Sequence, residues 1–354
     1  MRKPVLWALD FGEESVVAVA AEEKNPGMWV LLGGGEARAR GVKNGEIEKL
    51  TDAVESVVEA VQRAEKSSRR RCRQLYYNFR DVGMVSAHPR GVKLLIGEGQ
   101  IGRSDTREAA QSALRLVGDF EKTPVYSREI RYVIDDKDPV GNPLGVFGHR
   151  LDVVLHVLLA RSRHLEQWKK LMRRSEIERA IPVPSLVSAF HGALPKKSAS
   201  LGNPSSDREG QVLRQIVWDL GRDLFAGGVV EKNALLEFAV FSKGSLSWAD
   251  LSARITASNR LWTEQYGVPE PLVLTGTPAA HDGAFHKLSA QMGFKTVWAP
   301  PTGFFDLPEK YASVAGLLGV AAESQRSGGP RVTMNKDLVG QVREKASALM
   351  QEYF

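Results

Sequence analysis

Leu9-Asp10-Phe11-Gly12 and Trp218-Asp219-Leu220-Gly221 are the two stretches whose reading decides the fold. Each closes a short apolar run, residues 5–9 in the first case and 216–220 in the second. Each therefore reads as a buried strand that ends in an Asp-x-Gly turn. After the first turn a second apolar run, residues 16–21, completes a hairpin whose tip carries Glu13 and Glu14. A single Asp-x-Gly turn is common. The same turn at the head of both halves, followed late in the chain by Val273-Leu274-Thr275-Gly276, points to two α/β lobes.

Working outward from the first turn, residues 29–32 form a third strand candidate, followed by Gly33-Gly34-Gly35. Ile47, Leu50, Val54, Val57, Val58 and Val61 then recur at helical spacing over residues 46–66, with charged residues mostly on the other side. Residues 82–160 read as an α+β unit of their own, after a first-lobe segment of residues 1–81. Its strand candidates are residues 85–87, 92–96, 130–134 and 151–160; residues 107–117 are its helix, and 135–148 are turn-rich. Residues 163–174 and 185–194 read as helices that return to the first lobe, within the segment 161–194. Residues 195–212 are Lys, Ser, Pro, Asn, Asp and Gly, the composition of a flexible connector. A second lobe over residues 213–320 follows, with strands at 216–220, 235–241, 272–274 and 295–299 and helices at 251–266, 283–292 and 311–320. A polar, Gly-rich tether within 321–334 leads to a last helix, residues 335–354.

Cys72 is the sole cysteine, which excludes an internal disulfide framework and a cysteine-rich zinc site. No stretch reaches the roughly 20 apolar residues of a spanning helix, and Asp10 breaks the N-terminal run, so a cytoplasmic protein is expected. The net charge of +6 allows an anionic partner without selecting one. The densest basic run, Arg69-Arg70-Arg71-Cys72-Arg73, has no aromatic interleaving; it reads as a solvated loop, and no nucleic-acid partner is expected.

Taken together, the two Asp-x-Gly turns and residues 273–276 resemble the superfamily of actin, sugar kinases and chaperone ATPases. More specific text resembles the FtsA family of bacterial cell-division proteins. Gly41-Val42-Lys43-Asn44-Gly45 before a helix is similar to that family's Gly-Ile-Lys-x-Gly step. Asp138-Pro139-Val140-Gly141 followed by Arg150-Leu151-Asp152 and His156 is similar to the signature that closes its inserted subdomain, although an ordinary turn before a buried strand also fits. Pro184-Ser185-Leu186-Val187-Ser188-Ala189, Pro301-Thr302-Gly303 and residues 311–317 are similar to later family segments, so that the resemblance spans residues 5–320. It implies a two-lobed actin-like (ribonuclease-H-like) α/β fold with an inserted α+β subdomain. Only about fifty residues separate the second turn from Gly276, so the second lobe is expected to be abridged, lacking a subdomain that in relatives covers the nucleotide and receives the FtsZ tail. PilM, a pilus-assembly protein of the same fold, is the neighbouring possibility.

The resemblance implies a nucleotide site at Asp10, Gly12, Ser15, Asp219, Gly221, Arg222 and Gly276, with ATP and Mg as its ligands. Small residues in the two turns let backbone N–H groups approach phosphate. The chain departs from that pattern. Glu13 and Glu14 would repel a polyphosphate unless they point away, Leu224 and Phe225 are bulky, and Pro278 lacks an N–H. Arg222 retains the option of an anion contact. A degraded site without catalysis is expected, and Asp10 and Asp219 can equally serve as strand-end residues that only shape the turns. His156, on an apolar strand with no ligand-spaced neighbour, reads as a core histidine, and no metal site is expected.

In the last segment Leu338, Val342, Ala346, Leu349, Met350 and Phe354 share one helix face. That resembles the FtsA membrane-targeting helix, with Leu338, Val342, Leu349, Met350 and Phe354 entering an anionic bilayer surface; docking on protein is the alternative. The expected function is a division adaptor, self-associating and held peripherally at the inner face of the cell membrane. A PilM-like adaptor and an active actin-like ATPase are the alternatives.

Overall fold

The computed structural model describes residues 5–25, 28–193, 214–221, 223–231, 234–244, 246–268, 271–276, 286–299 and 314–326. These fall into two compact units. One comprises residues 5–82 and 166–326, the other residues 83–165.

The first unit is built on two five-stranded sheets of the same connectivity. In the first lobe β1 (Val5–Phe11), β2 (Ser15–Asn25) and β3 (Met28–Arg38) form an antiparallel meander, and β6 (Gln74–Phe79) and β11 (Arg179–Pro184) add parallel to β1. In the second lobe β12 (Arg214–Leu220), β13 (Leu224–Glu231) and β14 (Ala234–Ser242) form the meander, and β15 (Leu272–Gly276) and β16 (Thr296–Trp298) add parallel to β12. Strands covered on both faces read as continuous apolar runs, which is why β1 and β13 show no alternation of polar residues.

The glycine triplet expected to follow the third strand lies inside it instead. A Cβ on Gly35 would stand 2.2 Å from the Ala60 carbonyl oxygen, and one on Gly33 2.5 Å from the Ser68 nitrogen. These residues lie on α1 (Leu50–Ser68), so the glycines let the helix backbone rest directly on the strand. β13 holds Gly227 for a related reason, since a Cβ there would enter the ring of Trp218. β11 carries Pro182 and Pro184 without disrupting the sheet because it is the edge strand. Asn44 and Gly45, both at positive φ, join β4 (Val42–Lys43) to β5 (Glu46–Ile47) in the manner of a type I′ hairpin turn.

α3 (Ser162–Arg174) precedes β11, and α4 (Ser185–Ala193) follows it. In the second lobe α5 (Trp248–Tyr266) is the sole helix between β14 and β15 among the described residues; Ser247 caps it by accepting the Asp250 N–H. A short α6 (His286–Gln291) precedes β16. α7 (Ala315–Arg326) packs on α4 so closely that a Cβ on Gly316 would lie 1.7 Å from the Ser188 carbonyl oxygen. Residues 323–326, expected in the tether, continue this helix.

The second unit is an antiparallel sheet with one helix. β10 (Phe147–Arg161) pairs along its length with β9 (Lys122–Ile134), and also with β8 (Arg90–Gln100) and β7 (Val85–Ala87) in tandem. α2 (Arg103–Leu114) covers one face, where Ala109, Ala113, Leu151, Val153, Leu155 and Val157 form the core. The helix starts earlier than its apolar spacing predicts because Asp105 accepts the Gly102 N–H at 2.9 Å.

Candidate functional site

The two Asp-x-Gly turns have the same hydrogen-bonded geometry. Gly12 N–H donates to the Ser15 carbonyl at 3.0 Å, and Gly221 N–H donates to the Leu224 carbonyl at 3.0 Å. A Cβ on either glycine would strike the oxygen that closes its turn, at 2.9 Å and 2.7 Å respectively. Glycine is therefore required by the turn itself, whatever lies beyond it. Glu13 and Glu14 are exposed at the first tip. Phe225 lies in the core against Trp248 and does not obstruct the second turn, contrary to the expectation from its bulk.

Parallel strands in both sheets end on the same side, so their carboxyl ends bring polar groups together. Asp10, at the end of β1, is buried and accepts a hydrogen bond from Asn78 Nδ2 at 2.9 Å. The Asn78 Oδ1 accepts from Ser188 Oγ, which also donates to the Ser185 carbonyl at 2.8 Å. Ser185 reaches across to the second lobe and hydrogen-bonds Asp219, at the end of β12. Gly276 ends β15 opposite Leu220. Asp10, Gly12, Ser15, Asp219, Gly221 and Gly276 thus lie at strand ends within the first unit. Arg222 and Pro278 lie outside the described residues, as do Pro301-Thr302-Gly303 and the tail positions Leu338, Val342, Leu349, Met350 and Phe354.

Arg80, which follows β6, is the residue the sequence reading missed. Its guanidinium feels the carboxylates of Asp10, Asp219 and Glu13, which outweigh burial and strengthen its hold on its proton. Burial pushes the Asp219 carboxyl up; Arg80 opposes that shift, Asp10 adds to it, and the Ser185 hydrogen bond opposes it. The Asn44-Gly45 turn closes over the same place. A Cβ on Gly45 would lie 3.3 Å from Arg80 Cβ and 3.5 Å from Leu224 Cδ1. Trp168 of α3 donates its indole N–H to the Gly45 carbonyl at 3.0 Å and packs on Phe11, Tyr77 and Phe79.

Both aspartates act electrostatically on Arg80, and among the described residues no group of three His, Cys, Asp or Glu side chains is arranged for a metal. Asn78 and Arg80 carried no distinctive spacing, and Ser185 and Ser188 were read only as part of the segment 184–189. The available signal was positional, since each lies at the end of an apolar strand or on the helix that follows one.

In the second unit five contacts hold the region of the Asp-Pro-x-Gly…Arg-Leu-Asp text. Asp135 accepts the backbone N–H groups of His149 and Arg150, at 2.8 and 2.9 Å, which hold its carboxyl below the usual range. Val140 N–H bonds the Tyr132 carbonyl at 2.9 Å, folding the turn onto β9. Asp152, fully buried, accepts from Arg90 Nε at 2.9 Å and meets Arg150 Nε at 3.0 Å. His156 is buried with its Nε2 2.7 Å from Ser86 Oγ, a core histidine as its sequence context suggests.

Residues 84–159 match the family described as the SHS2 domain inserted in FtsA. The chain is 23% identical over 198 residues to cell division protein FtsA of Pseudomonas aeruginosa, covering 56% of this chain and 47% of that one. It is 26% identical over 239 residues to FtsA of Rhizobium meliloti, covering 64% and 54%. The chain thus spans about half the length of the curated relatives it matches. Among solved structures, a chain of the PilM-PilN type IV pilus biogenesis complex superposes with a TM-score of 0.59 at 12% identity, covering 91% of this chain and 99% of that one. These findings identify residues 84–159 with the SHS2 domain inserted in FtsA and show that the chain shares its fold with the PilM-PilN chain.

Proposed function

We propose that this chain is a non-catalytic, FtsA-like adaptor of the bacterial division machinery. The observation that carries the reading is the FtsA-type SHS2 domain at residues 84–159, inserted into an actin-like first lobe. An actin-like fold by itself would say little about function, because the same fold serves many chemistries.

The reading of a degraded nucleotide site rests on Arg80. The Arg80 guanidinium, which feels the charges of Asp10 and Asp219, supplies positive charge of the kind a hydrated magnesium ion would bring, and the Gly45 turn packs against the Arg80 backbone and Cβ. Hydrolysis requires a metal, an aligned water and a closed site. The site is then a joint between lobes rather than a cradle. Isothermal calorimetry with Mg-ATP tests this. No low-micromolar binding and no phosphate release are expected, and a dissociation constant of a few micromolar refutes the pseudo-ATPase reading.

Among the described residues no helix is long and apolar enough to cross a membrane. Membrane attachment in this proposal falls to residues 335–354, through Leu338, Val342, Leu349, Met350 and Phe354 at an anionic surface. Binding by one such helix is weak, and head-to-tail association of the lobes, an open-ended contact, would supply avidity. Co-sedimentation of full-length protein with vesicles should be lost on deletion of residues 335–354. A fluorescent fusion in the source organism should gather at the constricting septum; uniform or exclusively polar fluorescence would sink the division role. The PilM-like reading has in its favour the end-to-end coverage of the PilM-PilN chain, and polar fluorescence is the outcome that would select it.

A further inference from the structure

The run Arg69-Arg70-Arg71-Cys72-Arg73, read from sequence as a solvated loop, does not stand alone in the folded unit. It joins α1 to β6, at the amino-terminal end of the parallel strands. The carboxyl end of α3 brings Arg173 and Arg174 to the same end, and Arg179 opens β11 beside it. Arg179 N–H donates to the Arg73 carbonyl at 3.0 Å, which fixes the two segments side by side. All seven arginines are exposed. Arg70 is 3.7 Å from Glu22, and Arg71 is 3.1 Å from Glu65. Among the described residues Arg69, Arg73, Arg173, Arg174 and Arg179 have no side-chain ion pair or hydrogen bond. The acidic groups at this end are Glu22, Glu65, Glu176 and Glu178, so the end carries a net excess of positive charge.

Unpaired arginines gathered at one end of a sheet raise a positive potential suited to an anion, and their planar guanidinium groups match phosphate geometry. The last described helix indicates which anion. Near its carboxyl end α7 sets Ser324 3.1 Å from the hydroxyl of Tyr76, in the amino-terminal half of β6. The amphipathic residues 335–354 follow this helix in the sequence. Neither segment, residues 69–74 or 173–179, offers an aromatic side chain on which a base could stack.

We propose that Arg69, Arg73, Arg173, Arg174 and Arg179 form a second membrane contact that lays this end of the lobe on anionic lipid headgroups. The proposal rests on the membrane reading of the tail. The tail supplies apolar insertion and the arginines supply electrostatic attraction; two such signals are what stable peripheral attachment requires. The tail alone would leave the body free to tumble. The arginine surface gives it one orientation, with the site at the opposite ends of the strands directed away from the bilayer.

The test is co-sedimentation of the full chain with vesicles of phosphatidylcholine alone and of phosphatidylcholine with phosphatidylglycerol. Each arginine at an anionic surface contributes about fivefold in affinity, so two engaged at a time give about twenty-fivefold. The variant carrying R69Q, R73Q, R173Q, R174Q and R179Q should lose about that factor on anionic vesicles and nothing on neutral ones. The matching five-lysine variant should retain binding, and thermal unfolding should be unchanged in both, because the residues are exposed and unpaired. The double variant R173Q/R174Q, with a loss of about fivefold or more, provides the check if the larger one is unstable. Wild-type binding that disappears on tail deletion but is unaffected by the glutamines overturns the arginine surface and leaves the tail reading standing. Wild-type protein that binds neither vesicle overturns both. A single-stranded or duplex oligonucleotide that competes at lower concentration than the anionic vesicles overturns the assignment to lipid.

Discussion

Replacing Arg80 by methionine tests the organisation of the site directly. The substitution keeps the length and apolar stem of the side chain and removes one positive charge. In the native unit that charge is shared by Asp10, Asp219 and, more distantly, Glu13. At contact distance of about 4 Å and an effective dielectric near 20, one ion pair is worth about 4 kcal/mol. Removing one partner of a buried pair typically costs about 3–5 kcal/mol, because the other charge stays behind uncompensated. Asp10 retains its hydrogen bond from Asn78, and Asp219 its bond from Ser185, which places the expected loss at pH 7 toward the lower end of that range. The loss must depend on pH. The Asp219 carboxyl already sits above its usual value in the folded state, so folding favours its protonated form and stability falls as pH rises past the ordinary carboxylate range. Without Arg80 that upward shift grows. The penalty should be largest at high pH and shrink as the pH is lowered toward the ordinary carboxylate range, where the folded Asp219 carboxyl is protonated in both proteins. Urea unfolding of both proteins at several pH values, followed by circular dichroism, measures the difference between midpoints. A penalty below about 1 kcal/mol at pH 7, or one that does not change with pH, refutes the assignment of Arg80 as the internal cation.

Gly35→Ala should destabilise the first unit by about 1–3 kcal/mol, because its Cβ would stand 2.2 Å from the Ala60 carbonyl and α1 would have to move off β3; urea midpoints within about 0.5 kcal/mol of wild type would contradict the direct helix–strand contact. Asp152→Asn should loosen the second unit by roughly 1–3 kcal/mol, less than for a wholly buried pair since Arg90 and Arg150 are 50% and 37% exposed and can turn to water. Hydrogen exchange of β8 and β10 amides would reveal it as faster exchange confined to that unit. Burial, with Glu65 beside it, pushes the Cys72 thiol up to about 12, so iodoacetamide at pH 8 should leave the native protein unlabelled and label it promptly in urea. Prompt native labelling would mean that the 69–73 loop opens readily.

Local patterns in the chain were enough to establish several features of the fold. Apolar runs ending in Asp-x-Gly marked β1 and β12, and helical spacing marked α1 and α5, because strand and helix periodicity are written in consecutive residues. The two-lobed fold with an inserted α+β subdomain came from the resemblance that the Asp-x-Gly turns and residues 138–156 carry. What failed locally was what depends on distant neighbours. The Gly33-Gly35 triplet looked like a strand end, and β13 with Gly227 went unread, since only the helix of α1 and the ring of Trp218 explain those glycines. The site divided in the same way. Asp10, Gly12, Asp219 and Gly221 were legible from their turns. Arg80, Asn78, Ser185 and Ser188 were not, because they meet those aspartates only where the carboxyl ends of strands from two lobes converge. The arginines at the opposite end make the same point: a charged run has no meaning in sequence until folding decides which other charges lie beside it. Sequence alone determined the segments whose apolar runs and helical spacing are unbroken, such as β1, β12, α1 and α5, since propensity and period act over a few residues. Tertiary structure alone decided which charges share a dielectric environment, because electrostatic interaction depends on distance in space and not on separation along the chain.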